Sequence, residues 1–194
     1  MVTLTSDDVA ALGERGFVVL EGAVPVELAL RARAQVEALA QSNQLTRAGV
    51  RRGGDHSLDP SIRSDSIGWV DQQTGGALGE LHAFFEALRE RLNREAYLGL
   101  RRFEVQAGWY PPGAHYSKHR DAFPGDDNRR VTASAYLNAG WRPEHGGVLR
   151  LHVEPAIDVE PIAGRVVVFL AERIEHEVVV ANVERAAVTA WYAR

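Results

Sequence analysis

The feature that most limits the fold of this 194-residue chain is a change of texture at Gly99. Beyond it, short runs of Val, Leu, Ile, Phe and Tyr alternate with Pro, Gly and Asp turns. Eight such runs occupy 102–109, 114–118, 130–138, 148–152, 156–160, 165–170, 175–180 and 185–192. Many short strands at even spacing cannot bury their inward faces as one open sheet, and they predict a β-sandwich or jelly roll.

The first hundred residues read differently. Thr5-Ser6-Asp7-Asp8 supplies an N-cap and early negative charge for a helix through Glu14, stopped near Gly16. Residues 17–21 form a predicted strand. Pro25 suits the first turn of a second helix to Gln41, with Leu28, Ala32, Val36 and Leu39 on one face. Leu78, Leu81, Phe85, Leu88 and Leu92 recur at helical spacing, so 76–97 is an amphipathic helix. Residues 44–59, rich in Gly, Arg and Ser, read as a mobile loop, and 63–70 as a short extended segment. The expected fold class is therefore mainly β with α: a jelly-roll core at 99–194 supported by helices at 1–98, in one domain over 1–194.

Composition narrows the chemistry. Hydrophobic residues make up 45% and charged residues 25%, so a packed core is expected. A net charge of −4 without a basic stretch gives no reason to expect nucleic acid as a partner. Cysteine is absent, which excludes disulfides, thiolate zinc sites and iron–sulfur clusters. No run approaches the ~18 apolar residues of a membrane span, and 1–9 lacks the apolar stretch of a signal peptide. A cytoplasmic location without membrane contact is the expectation.

His119 and Asp121 are two apart, so in an extended segment both face one side and can reach one ion. His176 opens a later strand. Two imidazoles and one carboxylate leave open positions on a metal, the ligand set associated with non-haem Fe(II) oxygenases. A His-x-Asp pair alone arises often by chance among seven histidines.

Arg185 adds weight. Segments 175–180 and 185–192 read as a hairpin, with Arg185, Ala187, Thr189 and Trp191 on one face of the second strand. An arginine among apolar residues needs a partner. Two partners are open: the carboxylate of a co-substrate, held by parallel charge-assisted bonds, or a structural Asp or Glu. Thr189 and Tyr136 are candidates for the same carboxylate, or ordinary strand and core residues.

The segment from Tyr110 through Pro111, Pro112, Gly113, His115, Tyr116 and His119 to Asp121 resembles the iron-binding strand and loop of the Fe(II)/2-oxoglutarate prolyl hydroxylases. The likeness is to the hypoxia-inducible-factor prolyl hydroxylases and their bacterial relatives. Residues 62–69, Tyr136-Leu137-Asn138, 146–150 and His176 through Arg185 to Trp191-Tyr192 agree in order and spacing.

The resemblance implies a double-stranded β-helix in which His119, Asp121 and His176 bind Fe(II). It implies that Arg185 holds the distal carboxylate of 2-oxoglutarate, with Tyr136, Thr189, Tyr110 and Leu149 around it. Arg63, Tyr116, Arg129 and Trp191 match positions near the peptide substrate. Asp65 matches an acidic residue of a loop that closes over the substrate, where it would pair with Arg129 or Arg130. The implied reaction is hydroxylation of a prolyl residue in a protein, translation-related or regulatory, with O2 as the other co-substrate, succinate and CO2 as co-products and ascorbate as a reductant. The competing readings are a hydroxylase of a free amino acid or other small molecule, a non-catalytic jelly-roll sensor of 2-oxoglutarate or oxygen, and a zinc hydrolase on the same ligands.

Overall fold

The computed structural model describes residues 3–52, 55–57, 59–122 and 129–194. Helix α1 (Ser6–Arg15) begins with Thr5 and Asp8 capping each other's backbone N–H, and ends where Gly16 takes the left-handed conformation, φ 82°. Strand β1 (Phe17–Leu20) follows. Helix α2 (Val26–Gln41) buries Ala29, Ala32 and Val36, and helix α3 (Gly76–Ala96) buries the predicted stripe from Leu78 to Leu92.

Residues 44–59 are more regular than a mobile loop. They hold β2 (Thr46–Arg47), paired with β5 (Ser66–Val70), and a small ladder of β3 (Val50–Arg52) and β4 (Asp55–Ser57). Residues 53, 54 and 58 of that segment lie outside the described residues.

All eight later strands form: β6 (Arg102–Tyr110), β7 (Tyr116–His119), β8 (Val131–Tyr136), β9 (Leu149–Leu151), β10 (Ile157–Val159), β11 (Val166–Leu170), β12 (His176–Val178) and β13 (Arg185–Ala193). They build two facing sheets of a jelly roll. The large one runs β1-β11-β8-β13-β6-β5-β2, so the N-terminal half contributes strands as well as helices. The small one runs β10-β9-β12-β7.

Strands β12 and β13 are not the hairpin that their closeness in sequence predicts. β12 pairs with β7 and β9, whereas β13 pairs with β6 and β8. The turn between them crosses from one sheet to the other.

Two apolar layers result. Behind the large sheet, α2 and α3 pack on Val105, Ala107, Val188, Ala190 and Tyr192. Between the sheets lie Tyr110, Tyr136, Leu149, Leu151, Val167 and Phe169. Strand β13 serves both. Ala186, Val188, Ala190 and Tyr192 are fully buried toward the helices, where the Tyr192 hydroxyl donates to the Phe85 carbonyl at 3.0 Å. The alternate residues Arg185, Ala187, Thr189 and Trp191 face the cavity between the sheets, as the strand period of two predicts.

Candidate active site

The small sheet brings the histidines together by register. His119 at the end of β7 stands directly opposite His176 at the start of β12. Asp121, two residues beyond His119, turns toward both. Its Oδ1 lies 3.5 Å from His119 Nε2 and its Oδ2 lies 3.7 Å from His176 Nε2, and one ligand atom from each of the three falls within 4.8 Å of the others. Among the described residues this is the only such group of metal-ligating side chains.

The surroundings fix these groups for coordination. His119 Nδ1 bonds the Ser117 carbonyl at 2.8 Å, and His176 Nδ1 bonds the Ile174 carbonyl at 3.2 Å. A carbonyl only accepts, so each ring carries its proton on Nδ1 and turns the Nε2 lone pair toward the shared centre. Thr132 of β8 donates to Asp121 Oδ2 at 2.7 Å. Burial opposes the charge on Asp121, but His176, His119 and the Thr132 hydroxyl outweigh it and hold the carboxyl far below its usual range. Burial pushes the His176 imidazole down to about 4, against the pull of Asp121. Two imidazoles that turn Nε2 to one centre and an anionic carboxylate fit a divalent iron centre.

The other end of the cavity is cationic. Arg185 is 2% exposed, and its Nε donates to the Gly147 carbonyl at 2.8 Å. Among the described residues it forms no salt bridge, so the structural Asp or Glu that was one candidate partner is not there. Its guanidinium lies over the rings of Tyr110, at 4.7 Å, and Tyr136, at 5.5 Å. The Tyr136 hydroxyl is buried and has no hydrogen-bond partner among the described residues. Burial raises the ionisation of both phenols well above the usual range, so both remain protonated donors. A buried unpaired cation beside an unpaired hydroxyl is a cradle for a carboxylate. Leu149 and Phe169 line the cavity on its apolar side, and Thr189 faces it with its hydroxyl 2.8 Å from that of Ser134.

At the mouth, Arg63 and Asp65 form a two-bond ion pair, 2.7 and 2.9 Å, with Asp65 only 1% exposed. This corrects the expectation that Asp65 pairs with Arg129 or Arg130. Arg63 is its neighbour on one face of an extended segment, whereas Arg129 pairs with Glu104 at 3.5 Å and covers Trp191 at 4.2 Å. Arg130 reaches Glu172. Arg63 also lies over Tyr116, at 4.5 Å, and Tyr116 stacks on His119 with 3.7 Å between ring centres. Trp191 meets the exposed Trp69 edge-on at 6.4 Å.

Three polar residues of the cavity have no functional role in the sequence analysis: Thr132, Ser134 and Gln106. The available signal was a polar side chain at alternate positions of a strand otherwise built for burial, the same signal that drew attention to Arg185.

A jelly roll with such a triad at one end and an unpaired arginine at the other defines a non-haem iron oxygenase that uses a dianionic co-substrate. The family model described as "2OG-Fe(II) oxygenase superfamily" matches residues 105–193. A solved Pseudomonas putida prolyl-4-hydroxylase is 35% identical and superposes with a TM-score of 0.87, over 97% of this chain and 98% of that one. A Trichoplax adhaerens prolyl hydroxylase, solved with a hypoxia inducible factor oxygen degradation domain peptide fragment, is 28% identical with a TM-score of 0.86, over 97% and 88%. Human Egl nine homolog 1 is 30% identical over 95% of this chain and 45% of its own length. The chain spans about half the length of the curated relatives it matches.

The chain belongs to the 2OG-Fe(II) oxygenase superfamily, in its prolyl hydroxylase family. Fe(II), 2-oxoglutarate and O2 are the cofactor and co-substrates of that family, and the triad and arginine cradle suit them.

Proposed function

We propose that this protein is a 2-oxoglutarate-dependent dioxygenase that hydroxylates a prolyl residue in a protein substrate. The observation that carries the reading is the geometry of one cavity, with the His119–Asp121–His176 group at one end and Arg185 without a carboxylate partner at the other. The reaction consumes O2 and 2-oxoglutarate and gives succinate, CO2 and a hydroxyprolyl product, one oxygen atom entering succinate and the other the substrate. Fe(II), held by the triad, supplies the oxygen chemistry.

The chain's own residues orient and exclude. Arg185 anchors the distal carboxylate, and the protonated Tyr136 hydroxyl donates to the same group. Tyr110, Leu149 and Thr189 line the co-substrate, so that its reactive end is fixed before the substrate arrives. Arg63, Tyr116, Arg129 and Trp191 bind the substrate, with Asp65 holding Arg63. A mouth in which Arg63 covers the half-buried Tyr116, Arg129 covers the buried Trp191 and Trp69 stands exposed suits a peptide segment better than a free amino acid.

The domain extends over 1–194, and the protein acts in the cytoplasm on a translation-related or regulatory protein, with ascorbate as reductant. Among the described residues no helix is long and apolar enough to cross a membrane. Succinate release is the test, measured with proline-containing polypeptides and with free proline. Stimulation by polypeptide is expected, and stimulation by free proline alone would sink the protein-substrate reading.

A further inference from the structure

The floor of the cavity is laid in cross-strand rows. Arg185 stands opposite Tyr110, Ala187 lies between Gly108 and Tyr136, Thr189 between Gln106 and Ser134, and Trp191 between Glu104 and Thr132. Successive rows on one face are about 7 Å apart. The first row carries the anchoring guanidinium. The last carries Thr132, whose hydroxyl holds Asp121. The row of Gln106, Thr189 and Ser134 therefore lies between the anchor and the metal ligands. A co-substrate stretched from Arg185 to the triad passes over it. Gly108 and Ala187 keep the preceding row low, leaving room for the carbon chain.

Ser134 and Thr189 satisfy each other, at 2.8 Å. Gln106 is different. Its Oε1 accepts from Arg63 Nη2 at 3.2 Å. A guanidinium has donors only, so the amide oxygen must face it and the two N–H bonds of the carboxamide point away. Among the described residues nothing accepts them. The side chain is 6% exposed and lines the cavity, so what meets those hydrogens must be something inside the cavity. Donors on a cavity wall that the described residues leave without an acceptor are free for a ligand oxygen.

We propose that Gln106 is a ligand-contacting residue, its carboxamide N–H groups binding an oxygen at the 2-oxo acid end of the co-substrate and Arg63 fixing the orientation of the amide. This rests on the 2-oxoglutarate reading of the cavity. It gives the Arg63–Asp65 pair a second consequence, since the pair that borders the substrate mouth also sets which way a co-substrate donor points.

The alternative, that Gln106 serves only as an acceptor for Arg63, predicts an opposite outcome. Gln106→Glu keeps an oxygen toward Arg63 and replaces the donors with an anion. Gln106→Met removes the donors without adding charge. Binding of 2-oxoglutarate to the full chain is measured anaerobically by calorimetry with Mn(II) in the metal site, together with the thermal midpoint. The visible charge-transfer band of the Fe(II)–2-oxoglutarate complex is recorded beside it.

The expected Kd rises roughly tenfold or more for Gln106→Glu and about threefold to tenfold for Gln106→Met. The charge-transfer band shifts in both, and the glutamate variant is no less stable than the parent. A Kd within about twofold of the parent in the methionine variant overturns the proposal, whatever the glutamate variant does, and this variant decides the matter if the other fails to fold. Arg185→Gln is the control. If it also leaves 2-oxoglutarate binding unchanged, the co-substrate reading itself falls, whereas silence of the Gln106 variants alone removes only this inference.

Discussion

The carbonyl of Gly147 accepts the Nε hydrogen of Arg185 at 2.8 Å, and the same glycine, at φ 63°, sits where a side chain would crowd its neighbours. An added Cβ would stand 3.1 Å from Arg185 Cδ and 3.1 Å from Ala181 Cβ. Gly147→Ala should cost about 1–3 kcal/mol of folding stability through backbone strain. By displacing the guanidinium it should also weaken 2-oxoglutarate binding roughly tenfold. Denaturant titration and calorimetry measure the two effects. An unchanged Kd would mean that Gly147 does not set the position of Arg185.

Arg185 itself offers four further N–H donors, on its two terminal nitrogens, to an anion. Arg185→Gln removes the charge and the fork, each charge-assisted bond contributing about 1.5–3 kcal/mol, so the Kd for 2-oxoglutarate should rise about 100-fold or more. Arg185→Lys keeps the charge without the fork and should fall between the parent and the glutamine variant. Equal losses in both variants would show that geometry, and not charge, dominates the anchor.

The triad is tested by metal binding in the absence of substrate. Asp121→Ala and His119→Ala should abolish tight Mn(II) binding in calorimetry and succinate release in the Fe(II) enzyme. Thr132→Val, which removes only the bond to Asp121, should weaken metal affinity about 10-fold or more. Chelation should stop turnover and added Fe(II) restore it. Restoration by Zn(II) in place of Fe(II) would favour hydrolysis over oxygenation.

Tyr136→Phe removes a buried hydroxyl that the described residues leave unpaired. Folding stability should stay level or rise, while 2-oxoglutarate affinity falls by about 0.5–1.5 kcal/mol, or roughly twofold to tenfold. Burial raises this phenol's ionisation above its usual value near 10. It therefore stays neutral and donating as pH rises, and its contribution should be flat between about pH 6 and about pH 9. A parent-to-variant affinity ratio that drops within that window would contradict the assignment.

Asn138 ties the strands to the support behind them. Its amide group donates to the carbonyls of Pro161 and Ala186, at 2.8 and 3.0 Å, and its oxygen accepts from the Ala186 N–H, at 2.8 Å, and from Arg33. Asn138→Ala strands several buried backbone groups and should destabilise the fold by about 3–5 kcal/mol. A loss below about 1 kcal/mol in chemical denaturation would show that water replaces the side chain.

Much of this was legible in the chain because strands announce their faces. The alternation in 185–192 correctly separated cavity residues from core residues, and the spacing of His119, Asp121 and His176 survived intact. The hairpin reading of 175–192 failed for a topological reason. A short connection looks the same whether it joins neighbours in one sheet or crosses between two, and only the partners β7, β9, β6 and β8 decide it.

The period of two makes Arg63, two residues away on the same face, a nearer partner for Asp65 than Arg129 or Arg130. Nothing in the sequence says that Arg63 will also meet the Gln106 oxygen. That contact joins residues 43 positions apart.

The two faces of β13 have a consequence for how such an enzyme can change. Its nine residues answer alternately to different demands, with Val188, Ala190 and Tyr192 serving assembly of the chain and Ala187, Thr189 and Trp191 serving what enters the cavity. The two sets share a backbone but not a neighbourhood. A lineage, or a library, can therefore vary 191 to explore new substrates and 187 and 189 to alter the fit of the co-substrate while inheriting an unaltered folding unit.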